Sequence, residues 1–149
     1  MKKLFKYISI YVFSGVLYTT IELLFRQRSD ITMFFLAGIC GLILTGLNNI
    51  YTYELDFSIQ VILSTFCITL GEYIFGVLFN SDYHIWDYRN LPFNINGYVC
   101  LYFSLAWLVI ATFGIPLLDY IEWKVFKYKY ETPPYYKIFG KKIFQFKLK

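Results

Sequence analysis

"FSIQVILSTFCITLGEYIFGVLF", residues 57–79, is the stretch on which the fold turns. It holds a single charged side chain, Glu72. At about 1.5 Å of rise per residue, a helix of this length reaches ~35 Å. The hydrocarbon core of a bilayer is about 30 Å thick and needs roughly 20 mostly apolar residues to cross. A helix facing water on one side carries a broad polar face. Here the small and polar residues Thr65, Thr69, Glu72 and Gly76 make only a narrow stripe. The stretch reads as a membrane span.

Working outward, three more segments share that character. Residues 4–25 follow Met1-Lys2-Lys3 in the manner of a secretory signal peptide, but the apolar run is too long and no small-residue cleavage site follows. Residues 31–50 and 98–118 complete the set, the last extending toward Trp123. The whole chain, 149 residues, is 58% hydrophobic and 23% aromatic with 16% charged, a balance foreign to soluble domains. The expectation is an all-α integral membrane protein: a four-transmembrane-helix bundle over residues 1–120 and a basic, aromatic tail over 121–149. Connectors of about 5, 6 and 18 residues make neighbouring helices antiparallel hairpins.

Lysine and arginine counts set the orientation. Four spans place the N-terminus, the 51–56 connector and the tail on one side. That side carries Lys2, Lys3, Lys6 and eight tail lysines, whereas the other carries Arg26, Arg28 and Arg89. Both termini are therefore expected in the cytoplasm, with the 80–97 loop outside. The tail interleaves Lys with Tyr and Phe around Pro133-Pro134. Each lysine near an anionic leaflet contributes about 1 kcal/mol of attraction, and the rings suit the headgroup zone. The tail is thus expected on anionic lipid, with docking of a cytoplasmic protein as the alternative and nucleic acid as no partner.

The informative residues are those that cost energy in lipid. Glu22 and Glu72 both fall toward the loop side of their helices, and an intramembrane carboxylate usually faces a cavity or a partner. Tyr18, Glu22 and Arg26 share one helical face at i, i+4, i+8, which allows a Glu22–Arg26 pair. Glu72 has no basic residue within two turns. Stripes such as Gly38, Gly41, Thr45, Asn48 on the second span are expected as packing seams. The loop "NSDYHIWDYRNLPFNINGYVC", 80–100, mixes large aromatics with Asp87, Arg89 and Asn94. It reads as an ordered cap, with Trp86 burying and the polar groups satisfying one another or the glutamates below. The candidate pocket is Glu22, Arg26, Glu72, Trp86, Asp87, Arg89 and Asn94.

Cys40, Cys67 and Cys100 match no zinc or redox spacing. His84, Asp82 and Asp87 could do acid–base work or hold a metal, but no His pair at i, i+4, no nucleophile elbow and no phosphate-cradling loop accompanies them. No enzyme, cofactor or metal is expected.

The segments "YTTIELLFR", "MFFLAGICG", "GEYIFG" and "WDYRNLPFNINGYVCLYFSLAW" resemble the type IV ABC-transporter permease family of bacterial integral membrane proteins. Its pattern of a first-helix glutamate, an E-x-x-x-G glutamate and a Trp-Asp-Tyr…Pro-x-Asn-x-x-Gly…Ser-x-x-Trp signature falls on Glu22, on Glu72 with Gly76, and on Trp86, Asp87, Tyr88, Pro92, Asn94, Gly97, Ser104 and Trp107. Arg89 departs from the small polar residue usual there, and no glycine follows Trp107. The resemblance implies a permease and a partner ATPase. With no G-x-x-x-x-G-K-[ST] sequence here, a separate subunit would be the motor.

The expected function is a small permease-like subunit, in a homo- or hetero-oligomer because four helices are few for a pathway. An outward-facing pocket lined by the intramembrane glutamates would sit beneath the loop and take a cationic or zwitterionic solute. The alternative is a non-transport membrane protein, such as a holin-like pore or a peptide-immunity factor.

Overall fold

The computed structural model describes residues 2–51, 53–126 and 133–147. Four helices, α1 (Lys2–Arg26), α2 (Ile31–Tyr51), α3 (Phe57–Phe79) and α4 (Leu101–Val125), are each long and apolar enough to cross a bilayer. The chain is an integral membrane protein of the four-span class. Apolar side chains cover the outside: Phe25, Ile62, Phe66 and Phe113 are among many left exposed. That surface would be ruinous in water and is ordinary in lipid.

α2 is the central helix, packing on all three others. Its buried residues Leu36, Ala37, Cys40, Gly41, Leu44, Thr45 and Asn48 recur at three- and four-residue steps and present one continuous face. The expected seams are there. Gly38 lies under the Tyr11 ring of α1, and Gly41 against Ser14, so close that a Cβ on either would collide. Thr69 of α3 meets Ser104 of α4 at 3.5 Å. α1 packs along α2 and meets α4 only through scattered side chains, with no zipped interface between them.

Each α3 boundary has a local cause. Asp56 accepts from the Ser58 amide at 3.0 Å, satisfying one orphan donor of the first turn. At the other end the Asn80 amide donates to the Gly76 carbonyl.

α4 begins three residues later than the hydropathy suggests and runs on to Val125. Residues 94–95 (β1) and 99–100 (β2) pair as a small antiparallel hairpin instead. Its turn holds Asn96 at φ 51° and Gly97 at φ 70°. Two consecutive positive-φ residues make the tight turn that Asn-Gly favours. At Gly97 an added Cβ would also strike Arg89 Cγ at 2.4 Å. The Asn-Gly pair was the sequence signal for this turn.

The tail contains a second hairpin. Tyr135–Ile138 (β3) and Lys141–Gln145 (β4) pair around Phe139-Gly140, again two positive-φ residues. It folds back on the bundle base. Tyr136 is fully buried against Tyr53 and Phe57, and Phe146 packs on Tyr120 and Trp123. Lys137 Nζ lies 2.6 Å from Glu54, which also accepts from the Tyr135 hydroxyl, and the Phe139 amide donates to Asp56 at 2.6 Å. The six residues 127–132, part of the basic tail, lie outside the described residues.

Lys137, then Tyr135, hold the Glu54 carboxyl below the usual carboxylate range. A depressed folded-state pKa stabilises above the unfolded value, about 4.3, and that contribution disappears as pH falls through the folded value. Hairpin docking is therefore expected to hold at neutral pH and weaken below about pH 4. Hydrogen exchange of the 135–145 amides, corrected for intrinsic rate, checks this; Glu54→Gln should remove the acid limb. An acid limb that survives in Glu54→Gln would assign it to another carboxylate.

Candidate functional site

The loop between α3 and α4 is built around Asn80, which is wholly buried. Its amide nitrogen donates to the Trp86 carbonyl at 2.6 Å, and its oxygen accepts from the Ile85 amide at 2.9 Å. One side chain thus closes the 80–86 turn of the loop, whose backbone groups lie outside the β1–β2 ladder. Trp86 is buried and donates through Nε1 to the Tyr98 carbonyl at 2.8 Å, while the Tyr88 amide donates to Gly97 O. Asn94 donates to the Leu91 carbonyl at 2.8 Å and accepts from the Gly97 amide. Asn80→Ala strands two buried backbone groups at about 1–3 kcal/mol each. We expect a loss of about 2–3 kcal/mol in unfolding in mixed micelles, with fast exchange confined first to 80–100. A loss no greater than that of an exposed surface alanine would contradict this role.

Below the loop lies Glu72, 1% exposed. The fold brings it hydrogen-bond donors rather than a basic residue. Trp107 Nε1 donates to one carboxyl oxygen at 2.9 Å and the Tyr88 hydroxyl to the other at 3.1 Å. Burial, more than the nearby carboxylate, pushes the Tyr88 phenol upward, so it stays a donor. Both rings are braced from behind. Tyr88 stacks on Phe103 at 4.5 Å between centroids, and Trp107 stacks on Tyr18 at 5.7 Å. Glu72 therefore fixes the two aromatics that stand between itself and the space beyond.

That space is a chamber of about 660 Å³ between α1, the loop and α4. Tyr18, Glu22 and Arg26 form its α1 wall, Trp86, Asp87 and Tyr88 its loop wall, and Phe103 and Trp107 its α4 wall. The Glu22–Arg26 pair forms at 2.8 Å, with Glu22 buried and Arg26 half-exposed. Ser29 also donates to Glu22 at 2.7 Å, and Arg26 reaches the Ile85 carbonyl at 3.1 Å, tying α1 to the loop.

The structure thus divides the seven expected residues. Glu22, Arg26, Trp86 and Asp87 reach the chamber wall; Glu72 lies behind it; Arg89 and Asn94 lie outside. Arg89 grips Asp87 through Nε and Nη2, at 2.9 and 2.7 Å, and covers the Tyr83 ring at 4.1 Å. That bidentate bond, chiefly, holds the Asp87 carboxyl at about 2. His84 pairs with Asp82 at the surface and lines a small recess beside the chamber with Glu22, Arg26 and Ser29, without a hydrogen bond to either glutamate. Among the described residues no three metal-ligating side chains come together, and Cys40, Cys67 and Cys100 are free thiols.

Sequence reasoning missed Arg28 on the chamber wall. It also missed a second buried polar cluster at the opposite end. Lys6, fully buried, lies 3.1 Å from Glu122, and Asn49 donates to the same carboxylate at 3.2 Å. Asp119 accepts from Asn48 at 2.6 Å and from the Tyr136 hydroxyl at 2.7 Å. The signal was the Asp119…Glu122 spacing, which puts two carboxylates on one helical face just past the hydropathy boundary.

Four apolar helices with polar groups drawn inward at each end define a small polytopic membrane protein, held by hydrogen bonding between helices. Within that class the chain belongs to the family described as "Putative ABC-transporter type IV", whose model matches residues 6–143. No curated protein and no solved structure matches it.

Proposed function

We propose that this chain is a small permease-like subunit of an ABC transporter, and that the chamber beneath the 80–97 loop is its outward-facing solute pocket. Family membership supports the first part. The observation that carries the second is the Glu22–Arg26 pair, turned into a chamber floored by aromatics that Glu72 holds in place. A wall offering a carboxylate and guanidinium groups side by side suits a zwitterionic solute. The lysine excess on the tail side supports an orientation with the loop outside the bacterial cytoplasmic membrane and both termini within. The exposed Lys141, Lys142 and Phe139 of the tail hairpin then lie toward the anionic inner leaflet. Four helices enclose no pathway alone, so the subunit works in an oligomer. Lacking a phosphate-cradling loop, it relies on a separate ATPase.

Purification from its bacterial membrane in mild detergent is expected to bring down an ATPase subunit. Glu22→Gln and Glu72→Gln should each abolish that ATPase's solute-coupled hydrolysis at unchanged membrane abundance. Full coupling in both variants, or steady conductance of the purified chain alone in planar bilayers, would overturn the reading.

A further inference from the structure

The chamber is the wide end of a longer fissure. α1 and α4 touch through the Tyr18–Trp107 stack, the Lys6–Glu122 pair and the Phe5–Phe126 edge contact, and stand apart between them. Below the Tyr18–Trp107 stack a slot of about 150 Å³ lies between the same helices, walled by Leu17, Ile21, Leu44, Ile110, Gly114 and Leu117, and it adjoins the chamber at Ile21 and Ile110, which line both. A third recess, about 180 Å³, follows between Phe13 and Ile121. The fissure is therefore polar at one end only.

Its charges are unequal as well. Arg26 is paired with Glu22, and Asp87 with Arg89. Arg28 is exposed at the rim of the chamber and of a smaller adjoining recess, with no ion pair among the described residues. Asp30, its nearest acidic neighbour in sequence, lines only that recess and accepts instead from the Thr32 amide and hydroxyl, at 2.8 and 2.7 Å.

From this geometry we infer that the fissure binds a single-chain amphiphile with a phosphate-bearing head: the head in the chamber against Arg28, the chain down the slot. A single unpaired guanidinium fits a phosphate. From Phe103 to Leu118, α4 advances about 22 Å, which accommodates a head and a chain about as long as one leaflet's half of the hydrocarbon core, ~15 Å. An apolar helix from a second copy would fill the slot and leave the polar chamber without a tenant. The inference rests on the transporter reading for its meaning as a substrate, but not for the binding itself.

Lysophosphatidylethanolamine is the probe, added to the purified full chain in detergent and scored by native mass spectrometry. Glycerophosphoethanolamine, the same head without a chain, is the companion. Binding of the lysolipid but not of the bare head is expected. Arg28→Gln, at an exposed position, should weaken it about tenfold, as loss of a charge-assisted contact does. Ala106→Phe, which fills the chamber, should abolish it. Binding unchanged in Arg28→Gln overturns the inference, as does equal binding of the bare head. So does a dimer that excludes the lysolipid, and so does no binding at all. An amphiphile that binds while no ATPase co-purifies would leave the fissure site standing and remove the transporter reading. The reverse pattern would remove only the fissure site.

Discussion

Lys6→Ala is expected to lower the unfolding free energy by about 3–5 kcal/mol, the cost of leaving a buried carboxylate without its partner. The lysine is fully buried, 3.1 Å from Glu122 and 3.3 Å from the Asn49 amide oxygen. An exposed pair would be worth no more than about 1 kcal/mol. Burial reverses that ranking, because Glu122, 5% exposed, cannot turn to water when the ammonium is gone. The companion variant Lys6→Met with Glu122→Gln removes both charges and should recover most of the loss. Equilibrium unfolding in mixed micelles measures all three proteins. A single-variant loss below about 1 kcal/mol would mean that the pair is solvated. A double variant no better than the single would mean that the charge is not the reason for the loss.

Tyr136→Ala should cost about as much, roughly 3–5 kcal/mol, by a different route. The ring is 1% exposed, packed on Phe57 at 5.0 Å between centroids, and its hydroxyl donates to Asp119 at 2.7 Å. Burial, ahead of the Asp119 charge, keeps that phenol protonated and so a donor. Truncation leaves a cavity at the bundle base and takes a donor from a buried carboxylate. Tyr136→Phe isolates the second effect, at about 1–3 kcal/mol. In Tyr136→Ala the hairpin should undock, so that the 135–145 amides exchange rapidly while those of α2 and α3 stay protected. Protection of the hairpin at the native level would show that its strands do not depend on this anchor.

Both experiments address a region where the sequence said least. Residues 121–149 read as a lysine- and aromatic-rich surface tail, and composition could say no more. Burial of Tyr136 depends on Phe139-Gly140 reversing the chain, and on Glu54 and Asp56 standing where β3 returns. Those partners lie 83 residues apart in sequence. At the loop end more was legible. Glu22 and Arg26 are four residues apart on one helix, so their pairing follows from helical spacing alone. Glu72 could be marked as unpaired by any base, yet not as the acceptor for Trp107, 35 residues away.

Four spans are determined by the sequence alone, because the transfer of side chains into lipid is a local property that adds along twenty residues. The inward turn of polar groups follows nearly as directly, since lipid offers them nothing. Which polar groups meet, and where the helices fail to meet, only the tertiary structure decided. Helix rotation and the gap between α1 and α4 are set by packing between distant segments. Hydropathy is blind to which side of a helix a residue occupies relative to its neighbours. That is why residues 57–79 could declare a membrane span with Glu72 inside it, while the two aromatic donors that hold Glu72 came only with the fold.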